Sequence, residues 1–378
     1  MANTLSGRVT TGPGGPTRDN VNGVSEREDL ANFISMITRD ETPFMSSIGK
    51  TKATAIYHEW QTDSLEAPGN SRIPEGQDYL APGESRTTSP ANQVEGEDFN
   101  VVGPFRSRLG NYTQINGKTI AVSGTKRAVD QAGVADEYAY QLKKRGTEMR
   151  RDVEADLINT GNTSAATGTR DGGARTFGGY QSFINSSSTV RYVGGSSLEN
   201  NTSNDGTGNV ELAVSTSRAS LSLSDIDQVM QDIYEEGGKA SKIMVSPKLR
   251  RDFSDLMVTD SGVRRNIDMD GKLRQSVDIY MSDFGDLMVV PNYIMGLTSA
   301  GVSSGAASTS GMPGTADWAN AAALIYDPMW FSIATLRPLQ EVDVGQRGDS
   351  TTGQIVEEVT LECKNPLGSG AIYGLDGS

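Results

Sequence analysis

Side chains able to do chemistry are few in this chain, and their spacing is poor for it. His58 is the single histidine, so a zinc centre, an acid–base pair or a proton relay built on imidazole would have to run through it alone. It stands beside Trp60 in the strand-like run "AIYHEWQT", which suits a structural place. Gly301-Val302-Ser303-Ser304-Gly305 has the spacing of a nucleophile elbow, but that device needs a histidine after the serine and none follows. Gly49-Lys50-Thr51 and Gly117-Lys118-Thr119 look like the close of a phosphate-cradling loop, yet the glycine that heads such a loop is replaced by Phe44 and Tyr112. Asp268-Met269-Asp270-Gly271 opens like a calcium loop and lacks the closing acid, so it reads as a turn. Cys363, the single cysteine, alternates with Val359 and Leu361 and reads as a small core residue; no disulfide can form within the chain. No catalytic, cofactor-binding or metal-binding residue is assigned, and no enzyme is expected.

Charge narrows the classes further. The basic clusters Lys143-Lys144-Arg145 and Arg150-Arg151 are interleaved with Glu148, Asp152 and Glu154. That pattern predicts an ion-paired face, solvated or shared between subunits, and not a DNA site. A net charge of -14 opposes broad binding to phosphates, so DNA is expected as a neighbour without sequence-specific contacts. No apolar run approaches the roughly 18 residues that cross a bilayer, and "MANTLSGRVTTGPGG" has no apolar signal core. A soluble protein assembled inside the cell, with no membrane partner, is the expectation. The triplets at Asn111, Asn162, Asn185, Asn200 and Asn201 are then chance sequons of a Ser/Thr/Asn-rich chain.

The elements that hold these residues are unevenly distributed. Apolar residues at Val134, Tyr138, Leu142, Met149, Val153 and Leu157 predict one long helix over 133–159, with Leu142 and Met149 buried and Lys143 and Lys144 exposed. Before it, the Gly/Pro/Ser/Thr-rich stretch from Met1 to Val122 reads as arms and loops that pack on something external. Ser25 to Met36 reads as a short capped helix. Ala53 to Val102 reads as an extended hairpin, with "AIYHEWQT" outgoing and "VEGEDFNVVG" returning. "NYTQINGKTIAVSGT" is a further strand.

After the helix, Thr160 to Gly208 is poor in apolar residues and reads as an exposed insertion. From Ser222 the texture becomes that of a compact α/β unit. It has a helix ended by Gly237 and Gly238, the strand "KIMVS", and a second helix started by Ser246 and Pro247. The hairpin "VDIYMSDFGDLMVVP" turns near Asp283 to Gly285, and strands "AALIY", "WFSIATL" and "IVEEVTLECK" follow.

Several blocks together resemble the major capsid proteins of tailed bacteriophages with the Hong Kong 97-type fold. They are "ETPFMSSIGKTKATAIYHEWQTDSL" at 41–65, "GNYTQINGKTIAVSG" at 110–124 and "AGVADEYAYQLKKRGTEMRRDVE" at 132–154. They continue with "IMVSPKLRRDFSD", "YMSDFGDLMVVPN" and the stretch from Ala322 to Asn365, all in the same order.

The resemblance implies an α+β fold with an N-terminal arm over 1–50 and an extended hairpin loop over 51–104. A peripheral domain with a spine helix would take 105–160 and 339–378, an exposed insertion 161–215, and an axial domain 216–338. It implies self-assembly as hexamers and pentamers into an icosahedral shell around double-stranded DNA, built in the host bacterial cytoplasm. Portal, scaffold and decoration proteins are the further partners, and no cofactor is implied. Some shells of this fold are welded by an isopeptide bond from a lysine on the hairpin. Here no lysine lies between Lys52 and Lys118, so a noncovalent shell is expected. The Ser/Thr/Gly texture also admits a β-rich adhesin or fibre, which the absence of a secretion signal and the central helix oppose.

Overall fold

The computed structural model describes residues 9–12, 15–18, 40–63, 106–129, 133–159, 175–184, 189–193, 197–199, 211–213, 219–259, 278–296, 322–346 and 348–376. The N-terminal helix expected at 25–36, the hairpin's return strand at 94–103, the Gly301 motif and the Asp268 turn lie outside them.

A six-stranded mixed sheet is the centre of the fold. Its strands, in spatial order, are β11 (Ile279–Ser282), β12 (Gly285–Pro291), β10 (Lys242–Val245), β13 (Ala322–Tyr326), β16 (Gly370–Tyr373) and β7 (Val190–Tyr192). The inner strands are apolar at successive positions because both faces are covered. In β13, Ala323 and Ile325 point to a core formed with α5 (Leu223–Glu235) and α6 (Pro247–Thr259), while Ala322, Leu324 and Tyr326 point to a second core on the other side. Local signals set the two helices. Ser222 Oγ accepts from the Asp225 backbone nitrogen at the start of α5, and Gly237, at φ +80°, follows its end. Ser246 Oγ accepts from Leu249 N, with Pro247 in the first turn of α6.

The second sheet has the order β3 (Gly49–Lys52), β14 (Phe331–Gln346), β15 (Ser350–Cys363) and β6 (Gln114–Ser123). Across it lies α3 (Glu137–Asn159), the long helix. Ile120, Val122 and Ile355 of the sheet pack on Met149, with Tyr138 and Leu142 at the margin. Burying a side chain such as Met149 contributes about 1.5–3 kcal/mol. Further along α3, Val153, Leu157 and Ile158 enter the core beneath the six-stranded sheet. The helix therefore joins the two sheets. Smaller elements complete the fold: the paired β1 (Val9–Gly12) and β2 (Gly15–Arg18), α1 (Pro43–Ser47), the paired β4 (Tyr57–Thr62) and β5 (Ser107–Tyr112), α2 (Gly124–Ala128), α4 (Tyr180–Phe183), and the paired β8 (Ser197–Glu199) and β9 (Glu211–Ala213).

Four expectations change. The helix starts at Glu137 and not at Gly133, because Gly133 takes φ +87° and Asp136 caps the first turn through Tyr138 N. Leu142 is half-buried, at the edge of its cluster, whereas Met149 is fully enclosed; Lys143 is exposed and Lys144 half-exposed. The stretch 161–215 is not an exposed insertion throughout: Phe177, Tyr180, Phe183 and Ile184 are core residues and β7 closes an edge of the six-stranded sheet. Few but large apolar groups achieve this, and a low average hydrophobicity concealed them. Finally, the expected boundary at 338/339 falls inside β14, and β16, beyond it, pairs with β13 in the six-stranded sheet.

Candidate assembly surfaces

Gly49-Lys50-Thr51 lies in β3 and Gly117-Lys118-Thr119 in β6, so their backbone is extended and part of ladders with β14 and β15. A phosphate loop needs its amide groups free and converging. Cys363 is enclosed, and burial pushes its thiol well above the ordinary range. His58 Nε2 lies 3.6 Å from Glu362, with the Trp60 ring beside it. Among the described residues no cluster of His, Cys, Asp and Glu could hold a metal ion, and no helix is long and apolar enough to cross a membrane.

What the geometry provides is a set of rigid anchors for segments that leave the core. The β4–β5 ladder, from Tyr57 opposite Tyr112 to Thr62 opposite Ser107, is the base of the hairpin. The strand that pairs with β4 is thus "SRLGNY", 107–112. Gly110 is required there, since a Cβ would stand 2.5 Å from the Tyr57 ring. Trp60 Nε1 donates to Cys363 O at 2.8 Å. Asn111, fully buried, donates to Gly178 O and Leu361 O and accepts from Gly178 N, which ties the base to β15 and to the segment before α4. Its burial removes it as a glycosylation site.

Next to it, Thr113, Arg175 and Arg337 all donate to Glu358 at 2.7–2.8 Å. Burial acts to raise the Glu358 pKa, but the Thr113 and Arg337 hydrogen bonds and the two arginine charges outweigh it, and the carboxyl is held below its usual value. Breaking such a buried charge-assisted set leaves an uncompensated charge.

A second anchor holds α1. Glu154 of α3 is fully buried and accepts from the backbone nitrogens of Phe44 and Met45, in α1, and from Asn292 Nδ2, after β12. The sequence pattern placed Glu154 on a surface ion-paired face; the structure places it in the core. Its signal in the sequence was its spacing of three and four residues before the apolar Leu157 and Ile158.

Around these anchors the surface keeps features that invite other chains. On the face of the second sheet away from α3, Ile115 of β6 and Val342 of β14 are exposed. β14 is paired on its outer side by β3 only as far as Thr335, so its edge beyond that point has no strand beside it among the described residues. Open edges and flat apolar faces are templates for association. In the first sheet, Ile279 and Met288 form a cross-strand pair that is exposed with Met281 on the β11–β12 hairpin.

Comparisons with known proteins agree with an assembling subunit. A major capsid protein of Escherichia phage Phieco32 is 27% identical over 261 residues, covering 63% of this chain and 68% of that protein. Among solved structures, the capsid of cyanophage P-SCSP1u matches with a TM-score of 0.51 at 10% identity, covering 94% of each chain. The capsid of Myoviridae phage XM1 matches with a TM-score of 0.51 at 11% identity, covering 92% of this chain and 97% of the other. These two show the mixed α+β fold. The model of the SU10 major capsid protein family matches residues 11–376, nearly the whole sequence, and the chain belongs to that family.

Proposed function

We propose that this major capsid protein works as a shell subunit of the Hong Kong 97 type, in which most of the binding energy lies between copies and little in any single contact. In this reading α3 is the spine helix, the second sheet with α3 is the peripheral domain, and the six-stranded sheet with α5 and α6 is the axial domain. The arm expected over 1–50 is cut back to the part before α1, since Phe44 and Ile48 are core residues and β3 joins the second sheet from Gly49, and the segment between β4 and β5 is a loop that reaches a neighbouring subunit. Hexamers and pentamers close an icosahedral shell around double-stranded DNA in the host cytoplasm, with a portal, a scaffold and a decoration protein as further partners. The observation that supports this best is the doubly anchored hairpin base, where Trp60, Asn111 and Thr113 fix β4–β5 to the strands of the second sheet. A rigid base lets a long loop be aimed at a neighbour with small entropy loss on docking.

Electron microscopy of the purified, overexpressed chain should show shells or capsomer rings. Deleting residues 67–90 should leave a folded subunit that forms no shells. Normal shells from the deletion, or a closed small monomer from the intact chain, would count against this reading.

A further inference from the structure

The interleaved charges of α3 predict an ion-paired face, and in the structure only Arg145 of the two basic clusters pairs within 4 Å among the described residues. Glu148 pairs with Arg145 at 2.7 Å and with Lys118 of β6 at 3.6 Å, and Asp152 pairs with Lys118 at 2.6 Å. Glu154 is spent in the core on Phe44, Met45 and Asn292. Glu148 and Glu154 thus turn towards the sheet and the interior, while Asp152 stays exposed and is paired with Lys118. Lys143, Lys144, Arg150 and Arg151 are left on neighbouring turns of one helical ridge. None of the four forms an ion pair within 4 Å among the described residues, and because Arg151 Nε is itself buried, the accessible cations of the ridge are Lys143, Lys144 and Arg150. The charges of Lys144 and Arg150 reach Glu148 and Glu357 only as a longer-range attraction, and the Glu357 carboxyl is itself raised by burial.

The opposite side of the same two-layer unit has different chemistry. There β6 exposes Gly117, Thr119 and Ala121, aligned through β15 with Gln340 and Val342 of β14, and none of these carries a charge; the arginines on that face, Arg175 and Arg337, are both ion-paired with Glu358. A shell wall has one inner and one outer surface, so such a charge difference across its thickness has a direction. We propose that the Lys143–Arg151 ridge faces inward and meets the phosphates of packaged duplex DNA; this rests on the reading above that the shell encloses such DNA. Charge complementarity selects the occupant: on a chain of net charge -14, an unneutralised cationic ridge is the surface that a polyanion would favour.

The contacts need neither base recognition nor strength. Each cation that neutralises a phosphate adds about 0.9 to the logarithmic salt dependence of binding, so a few per subunit give a salt-sensitive, sequence-blind surface. Such a wall can line the genome without gripping it.

The test uses DNA-filled particles and empty shells of the full chain. Amine-reactive labelling of Lys143 and Lys144 should fall several-fold in filled particles, with Lys364 as the reference lysine. Ultraviolet irradiation of filled particles should give nucleotide adducts on peptides that carry 143–151. The triple variant Lys143→Gln, Lys144→Gln, Arg150→Gln should assemble shells normally and lose those adducts. If that variant fails to assemble, the labelling of the wild-type particles decides alone. Equal labelling in filled and empty particles, or adducts confined to other peptides, would overturn the ridge assignment and leave the shell reading intact. Particles that hold no duplex DNA would overturn both.

Discussion

Glu154 Oε1 lies 2.8 Å from the backbone nitrogen of Phe44, 110 positions earlier in the chain. One buried carboxyl thereby fixes the first turn of α1 to the middle of the fold, and with Asn292 it links α3 to the end of β12. The two backbone nitrogens it accepts from are among those that a helix start leaves without intrahelical partners.

Glu154→Gln is expected to lower stability by about 1–3 kcal/mol, because one amide NH2 group must then face donors in place of an acceptor. Glu154→Ala should cost more and release α1. Chemical denaturation of the subunit measures the first effect, and proteolytic cleavage after residues 43–47 the second. Unchanged values for both variants would show that the joint carries no weight.

Asp156 gives a pH dependence. Burial raises its carboxyl pKa from 3.8 to about 6, opposed by the Gln114 hydrogen bond and assisted by the charge of Asp152. The folded state therefore holds this proton more tightly than the unfolded state, and its contribution to stability falls as pH rises from about 4 to about 6. Asp156→Asn should be more stable than the native chain by about 1–2 kcal/mol at pH 7.5. The gap should shrink as pH is lowered through that window. A gap that is constant with pH would exclude a charge effect.

The two sides of α3 should respond oppositely. Met149→Asp buries an unpaired charge and should cost more than about 3 kcal/mol or prevent folding. Lys143→Ala, at an exposed position, should change stability by less than about 0.5 kcal/mol. Thermal unfolding of the two variants compares them directly, and equal tolerance would mean that the helix face is wrongly assigned.

Gly110→Ala places a methyl carbon against the Tyr57 ring, at 2.5 Å before relaxation, and should destabilise the hairpin base by about 1–3 kcal/mol. Adding Tyr57→Leu should recover part of that loss. A double-mutant cycle that shows no coupling would place the cost in the backbone of β5 instead.

Particles boiled in denaturant and reductant should run on a gel as single subunits near 40.3 kDa. The region from Ala53 to Gly117 has no lysine amine to form an isopeptide bond, and arginine remains protonated and cannot substitute. A ladder of covalent multimers would overturn the noncovalent account.

Much of this protein is determined by sequence-local physics. The period of apolar residues in 137–159, the cap signals at Ser222 and Ser246, the turn at Asp283–Gly285 and the alternating strands near the C-terminus follow from nearest-neighbour chemistry, and the structure contains them. The collinear blocks resembling phage capsid proteins were likewise legible in one dimension. What tertiary structure alone decided is where each polar group spends its hydrogen bonds. Asn111 looked like a chance sequon and Glu154 like a surface acid, yet each is buried with partners 67 to 250 positions away. The same holds for the segment 175–193, whose few large side chains become core because two sheets and a helix converge on them. Long-range pairing leaves no local trace, since the energy of a buried polar group depends on partners that only the folded chain brings within about 3 Å.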